Sequence, residues 1–143
     1  MLFALLTGVR AQEIRETDGL FYRDGSLYSG IYTTRFESGE PKMEVSVRKG
    51  VKHGKIRIYN EAGQIQEIRS YRKNRMHGRW AVYNQRGIKV SEARYRNGEK
   101  HGKWFIWNDD GRLLYELRYK RGEKSGTWRS YDSSGKIINQ RKY

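Results

Sequence analysis

Three histidines, His53, His77 and His101, each stand immediately before a glycine, and 24 residues separate one from the next. Imidazoles at regular spacing raise the question of a metal site or of general acid–base chemistry. An acidic pair, Asp109-Asp110, adds two further groups that titrate or ligate. The surroundings of the histidines decide between chemistry and architecture. Four segments superimpose without gaps: "VKHGKIRIY" (51–59), "RMHGRWAVY" (75–83), "EKHGKWFIW" (99–107) and "EKSGTWRSY" (123–131). In the fourth, Ser125 replaces the histidine.

The glycines of these segments, Gly54, Gly78, Gly102 and Gly126, keep the 24-residue interval, and Gly30 continues it backward. A second ladder follows nine residues later at Gly39, Gly63, Gly87, Gly111 and Gly135, and a third comprises Val47, Tyr71, Tyr95, Tyr119 and Tyr143. Three ladders in register over five units identify an internal repeat. Each unit reads as a β-hairpin. A five-residue run such as "KWFIW" is rich in β-formers and too short for a helix. It leads to Asn60, Asn84, Asn108 or Asp132 with Gly three residues on, the pattern of a type I turn followed by a glycine bulge. A second strand such as "LLYELRY" (113–119) follows. A two-residue turn, Lys49-Gly50, Lys73-Asn74, Asn97-Gly98 or Arg121-Gly122, then delivers the chain to the next unit.

Two strands at about 4.8 Å each place equivalent residues of successive units about 10 Å apart. Nitrogens sharing one metal each lie about 2 Å from it. The histidine ladder therefore reads as turn punctuation, and Asp109-Asp110 as a turn pair. No Ser–His–Asp set and no phosphate-binding glycine motif opening a helix can be assembled, so the expectation is a protein without enzymatic activity, metal or cofactor.

The Tyr-x-Gly of "YSGIY" (28–32), the recurring Gly-Lys-Trp and the "HGKW" of a 24-residue period resemble MORN repeats of the bacterial variant type, often labelled antitoxin-like. The resemblance covers about residues 19 to 143. It implies an all-β fold, an elongated, twisted, single-layer antiparallel sheet of consecutive hairpins whose role is to contact partners, and it supplies no catalytic residues. The expected organisation is a segment 1–11, an N-terminal cap segment 12–29, and five units over 30–143 beginning at the structural glycines Gly30, Gly54, Gly78, Gly102 and Gly126, the last one shortened. The first unit departs from the pattern, with Phe36 where others have Asn or Asp and with Pro41 early in its second strand. Both suit a capping repeat.

A net charge of +14 and a mean hydropathy of −1.00 lean toward disorder, but 13% aromatics and glycines at fixed intervals oppose it. The absence of cysteine excludes disulfides, thiolate metal sites and a Cys nucleophile. No apolar run approaches the roughly 20 residues of a membrane-spanning helix. "MLFALLTGVRA" (1–11) reads as the back half of a secretory signal peptide cleaved before Gln12, the rival reading being an apolar strand or cap. Cleavage would remove Arg10 and leave a charge of +13. A secreted or envelope location is expected, with the cytoplasm as the alternative.

Two sets of side chains are the candidates for binding. Trp80, Trp104, Trp107, Trp128 and Tyr131 are expected to present aromatic rungs to a protein partner, since such residues are enriched at binding hot spots. Tyr59, Tyr83, Trp107 and Tyr131, three residues beyond the Ile56, Trp80, Trp104 and Trp128 ladder, should occupy the opposite sheet face. Arg48, Arg72, Arg96 and Lys120 form a basic ladder suited to an anionic surface. Glu44, Glu92 and Glu116, two residues before Ser46, Arg94 and Arg118, are expected to pair locally along a strand. No named nucleic-acid motif is present, so specific nucleic-acid recognition is not expected. The final strand, roughly Lys136 to Tyr143, is expected to offer an edge for a partner or a second copy. The function read from these features is a non-enzymatic scaffold for protein–protein or anionic-surface contact, with an antitoxin-like protein neutralising a toxin by direct binding as the alternative.

Overall fold

The structure is a computed structural model that describes residues 13–143. The segment read as a signal peptide, and Gln12 at the start of the cap segment, lie outside the described residues. Among the described residues every regular element is a strand. The first three, β1 (Ile14–Thr17), β2 (Leu20–Arg23) and β3 (Ser26–Leu27), form a small antiparallel sheet. The main sheet begins with β4 (Gly30–Arg35), β5 (Pro41–Arg48), β6 (Val51–Tyr59) and β7 (Ile65–Arg72). After the two-residue β8 (Arg75–Met76) come β9 (Gly78–Tyr83) and β10 (Lys89–Arg96). The pattern repeats with β11 (Glu99–Lys100), β12 (Gly102–Trp107) and β13 (Leu113–Lys120), and again with β14 (Glu123–Lys124), β15 (Thr127–Tyr131) and β16 (Ile137–Lys142). The ten long strands lie in chain order from β4 to β16, each beside its sequence neighbour, in an open antiparallel sheet.

The long turns take the form their residues dictate. In the Asn108 turn the Gly111 N–H donates to the Asn108 carbonyl (2.9 Å) and the Asn108 N–H to the Arg112 carbonyl (2.9 Å). The Asn108 side chain adds what sequence pattern alone implies: its Oδ1 accepts from the N–H groups of Asp110 (3.0 Å) and Arg112 (2.9 Å). Asp132 does the same for Ser134 and Lys136, and the Ser134 hydroxyl, followed by these N–H groups, holds its carboxyl below the ordinary value. The Phe36 turn keeps both backbone bonds at 2.9 Å without any side-chain acceptor, so the geometry is set by the backbone and reinforced by Asn or Asp. Asn108→Asp is therefore expected to be tolerated, as in the last unit, while Asn108→Ala should cost about 1 kcal/mol in denaturant unfolding.

The short turns are type I′, with positive φ at both central residues: 50° and 90° at Asn97-Gly98, 49° and 78° at Lys49-Gly50. Two further turns of this type, Asp18-Gly19 and Asp24-Gly25, shape β1–β3. These turns also couple successive units. The N–H of the second turn residue donates to a carbonyl in the preceding unit, from Gly50 to Tyr28 (2.7 Å), Asn74 to Lys52 (3.0 Å), Gly98 to Met76 (2.8 Å) and Gly122 to Lys100 (2.9 Å).

At the start of the last three units the repeat glycine bends the chain between a short strand and a long one, whereas Gly54 lies inside the continuous β6. Gly102 has φ 84°, and a β-carbon there would sit 3.5 Å from Cδ of Arg94, an ordinary contact. Backbone conformation, not crowding, demands glycine at this position. Gly30 differs, since a β-carbon would lie 2.8 Å from the Tyr28 ring. Gly102→Val is expected to cost about 1–3 kcal/mol through its left-handed backbone. His101→Ala should stay within about 0.5 kcal/mol, the range of ordinary surface changes, because the bond at this site runs from the His101 backbone N–H to the Arg94 carbonyl (2.9 Å). Equal melting temperatures for the two variants would contradict this.

Candidate binding faces

Alternation along the strands gives the main sheet two unlike faces. One is a ring face. Gly54 pairs with Tyr71, Gly78 with Tyr95 and Gly102 with Tyr119, so each tyrosine lies over a residue without a side chain. Trp80, Trp104 and Trp128 slot between these tyrosines. The rings form one column, with centroids 5.8 Å apart for Tyr71–Trp80, 4.8 Å for Trp80–Tyr95 and 5.4 Å for Tyr95–Trp104. It continues through Tyr119 (5.0 Å) to Trp128 (5.3 Å) and Tyr143 (4.9 Å). Burial among these rings, followed by the flanking Tyr71 and Tyr119, pushes the Tyr95 phenol above its ordinary value.

Each indole N–H is used internally. Trp80 donates to the Ser70 carbonyl (3.1 Å), Trp104 to Arg94 (3.0 Å) and Trp128 to Arg118 (2.9 Å). The same three carbonyls accept the N–H of His77, His101 and Ser125, which ties the histidine position to the tryptophan of its unit. The ring of His77 accepts weakly from the Asn97 N–H (3.3 Å), and Ser29 in the same register accepts from Lys49 (2.7 Å). Among the described residues no group of three His, Cys, Asp or Glu could hold a metal ion. Lys100 covers Trp104 and Tyr119, and Lys124 covers Trp128 and Tyr143, each at 4.6–4.9 Å from the ring centroid. Toward the N-terminal side the column merges into the apolar core of Phe21, Tyr28, Val45, Val47 and Ile56, with β1–β3 packed over it.

The other face is charged and is organised in rows along the repeat axis. Nearest the short turns stand Arg48, Arg72, Arg96 and Lys120, all exposed and without an ion pair among the described residues. Next come Lys55, Arg79 and Lys103 on one strand of each hairpin and Arg94 and Arg118 on the other. Arg79 is paired directly with Arg94, and Lys103 with Arg118.

A row of carboxylates follows, and their partners differ from the local pairing expected along the strand. Glu44 meets Arg57 (3.9 Å), Glu92 meets Lys89 (2.7 Å) and Arg79 (3.8 Å), and Glu116 meets Arg129 (3.6 Å) and Lys103 (3.8 Å). A pair two residues apart on one strand does form at Glu67–Arg69 (2.7 Å), but Glu92 and Glu116 are engaged by other cations, and Arg94 and Arg118 are left without carboxylate partners among the described residues. The last row is aromatic. Tyr59 donates to Glu44 (2.7 Å) and Tyr131 to Glu116 (3.1 Å), and burial followed by these carboxylates raises both phenols above their ordinary value. Phe105 stacks on Trp107 at 5.6 Å.

The five aromatic candidates are thus not one site. Trp80, Trp104 and Trp128 belong to the ring column and Trp107 and Tyr131 to the charged face. The basic ladder of Arg48, Arg72, Arg96 and Lys120 is joined by Lys55, Arg79 and Lys103, a second register that the 24-residue spacing itself shows, and by Arg94 and Arg118, which cross-strand register sets opposite Arg79 and Lys103.

No curated protein matches the chain significantly. A family model described as "MORN repeat variant" matches residues 52–73, 100–121 and 124–143. Each match holds one hairpin turn of the kind described above, and the interval 76–97 between them repeats the same register. MORN repeats are modules that bind proteins or membranes. In hairpin geometry, repeat register and family match alike, the chain carries repeats of the MORN variant type in these three segments.

Proposed function

We propose that the protein is a non-enzymatic scaffold that docks an acidic partner on its charged face, in the cell envelope or outside the cell. The observation that carries this reading is the placement of arginine or lysine directly across from arginine at Arg79–Arg94 and Lys103–Arg118. Like charges in directly opposed positions weaken a sheet, so their presence in two consecutive units supports a use outside folding. Binding of the full chain to vesicles carrying anionic lipid, and to soluble acidic polymers, tests the reading. Binding that falls steeply with salt and weakens in Arg94→Gln/Arg118→Gln supports it. No binding to any acidic probe, or binding indifferent to salt, overturns it.

The stacked Phe105 and Trp107, both partly exposed beside the carboxylate row, favour a second reading in which the partner is a folded protein, as for an antitoxin-like chain that neutralises a toxin by contact. Location separates the two. A mature N-terminus near Gln12 outside the cytoplasm agrees with the first, and a retained Met1 in the cytoplasm agrees with the second.

A further inference from the structure

We propose that the outer edge of β16 takes a strand from a protein partner, one with a carboxylate residue just before an aromatic and an apolar residue three places after it. This surface is the sheet edge, and the proposal stands apart from the charged-face reading. Among the described residues β16 pairs on one side alone, with β15. On that side Tyr143 donates its N–H to the Gly126 carbonyl (2.8 Å). By strand alternation the N–H and C=O groups of Gln140 and Lys142 point outward. Such an edge accepts a further strand through its main chain, while the alternate side chains select which strand.

The earlier units show what the edge selects. The carbonyls of Ser70, Arg94 and Arg118 each accept a backbone N–H and a tryptophan indole N–H from the following unit. Lys142 is the next member of that series, 24 residues on. Tyr71, Tyr95 and Tyr119 hold the same tryptophans at 5.8, 5.4 and 5.3 Å, and Tyr143 presents the equivalent ring, 41% exposed. Leu113 and Leu114 are half-buried, whereas their counterparts Ile137 and Ile138 are 45% and 65% exposed. An aromatic against Tyr143 and an apolar residue three places later, as Tyr131 follows Trp128, would cover both sites. Continuing the register of Tyr115–Ser130 and Glu116–Arg129, the residue before the aromatic falls opposite Lys142. That lysine is exposed and has no ion pair among the described residues, so a carboxylate suits this place. Arg141, in the position of Leu117, sets a cation opposite the aromatic.

A second copy of the chain fits less well. Its edge strand β4 offers Tyr32, but Ile31 precedes it and Arg35 stands three places after. The Ile31 carbonyl already accepts the Tyr28 hydroxyl (3.0 Å), and Tyr32 packs on Phe21 (5.2 Å). Two chains of charge +14 also repel each other.

The test titrates the full chain with a short capped peptide that holds glutamate, tryptophan and leucine at this spacing on a threonine background. Binding is expected, with slower hydrogen exchange at the Gln140 and Lys142 amides. Exchanging the peptide's tryptophan for alanine, or its glutamate for lysine, should weaken it. Gln140→Pro removes an outward N–H at a position where an edge strand tolerates proline, and should weaken binding at least about tenfold. Lys142→Glu keeps the readout should that variant fold poorly, with an expected loss of about threefold to tenfold. Arg48→Gln/Arg72→Gln makes the same change of net charge far from the edge, and screening should hold its effect below about twofold. Indifference to the peptide's pattern, or unchanged affinity in both edge variants, overturns the proposal. Self-association that Gln140→Pro abolishes, without peptide binding, makes a second copy the occupant and overturns it too. Binding lost in Arg94→Gln/Arg118→Gln but kept in Gln140→Pro moves the peptide to the charged face, which supports the proposed function and overturns the edge assignment. Failure of the peptide to bind overturns the edge assignment alone, since vesicles and acidic polymers test the charged face separately.

Discussion

Trp104→Ala is expected to destabilise the protein by about 3–5 kcal/mol, the range for truncating a large packed aromatic. Trp104 sits in the middle of the ring column, between Tyr95 at 5.4 Å and Tyr119 at 5.0 Å. Its removal forfeits two ring contacts and the indole bond to the Arg94 carbonyl. That carbonyl keeps the His101 N–H as a partner, so no buried acceptor is orphaned and the loss is mainly packing. Beyond the buried cluster at the N-terminal end, the later units pack much of their apolar area in this column. Trp104→Tyr should recover part of the loss, since tyrosine holds this register in the first unit as Tyr32. Denaturant unfolding monitored by circular dichroism measures both. A loss below about 1 kcal/mol would show that strand pairing alone sustains the array.

Phe21→Ala should cost a similar amount, about 3–5 kcal/mol, but with a different distribution. Phe21 is 1% exposed, packs against Tyr32 at 5.2 Å and belongs to the cluster of Tyr28, Val45, Val47 and Ile56. Its N–H donates to the Gly50 carbonyl, so the small sheet β1–β3 and the first main hairpins share one core. In a repeat array each unit contacts its neighbours alone, so damage at one end opens that end first. Hydrogen exchange should therefore rise in β1–β6 of Phe21→Ala while β12–β16 stay protected. Trp104→Ala should instead raise exchange on both sides of β12. Uniform loss of protection in both variants would mean that the array folds as one indivisible unit.

The hairpins and their boundaries could be read from the chain because the relevant physics is local. Asn108 and Gly111 shape their turn through bonds spanning four residues, and Asn97-Gly98 requires positive φ whatever lies beyond it. Tyr119 over Gly102 was also within reach, since one hairpin sets that register. The single ring column was not. It depends on Tyr95 of one hairpin meeting Trp104 of the next, a relation fixed by the Gly102 kink and the turn-to-turn hydrogen bonds. The same holds for Glu116, which bonds Tyr131 and Arg129 on the following hairpin rather than Arg118 on its own strand. The strands of the cap segment had a signal that the repeat period masks. Asp18-Gly19 and Asp24-Gly25 are hairpin dipeptides, but both fall outside the 24-residue register, the second by one residue.

The claim that the charged face is the binding face is tested most directly by arginine side-chain NMR. The Nε–Hε resonances of Arg79, Arg94, Arg96 and Arg118 are followed as an acidic ligand is added. These four are expected to shift together and saturate at one ligand concentration, while the tryptophan indole N–H signals of Trp80 and Trp104, held by the Ser70 and Arg94 carbonyls, move little. Shifts confined to the indoles, or spread evenly over all arginines including Arg23 and Arg35, would contradict the assignment of binding to the charged face.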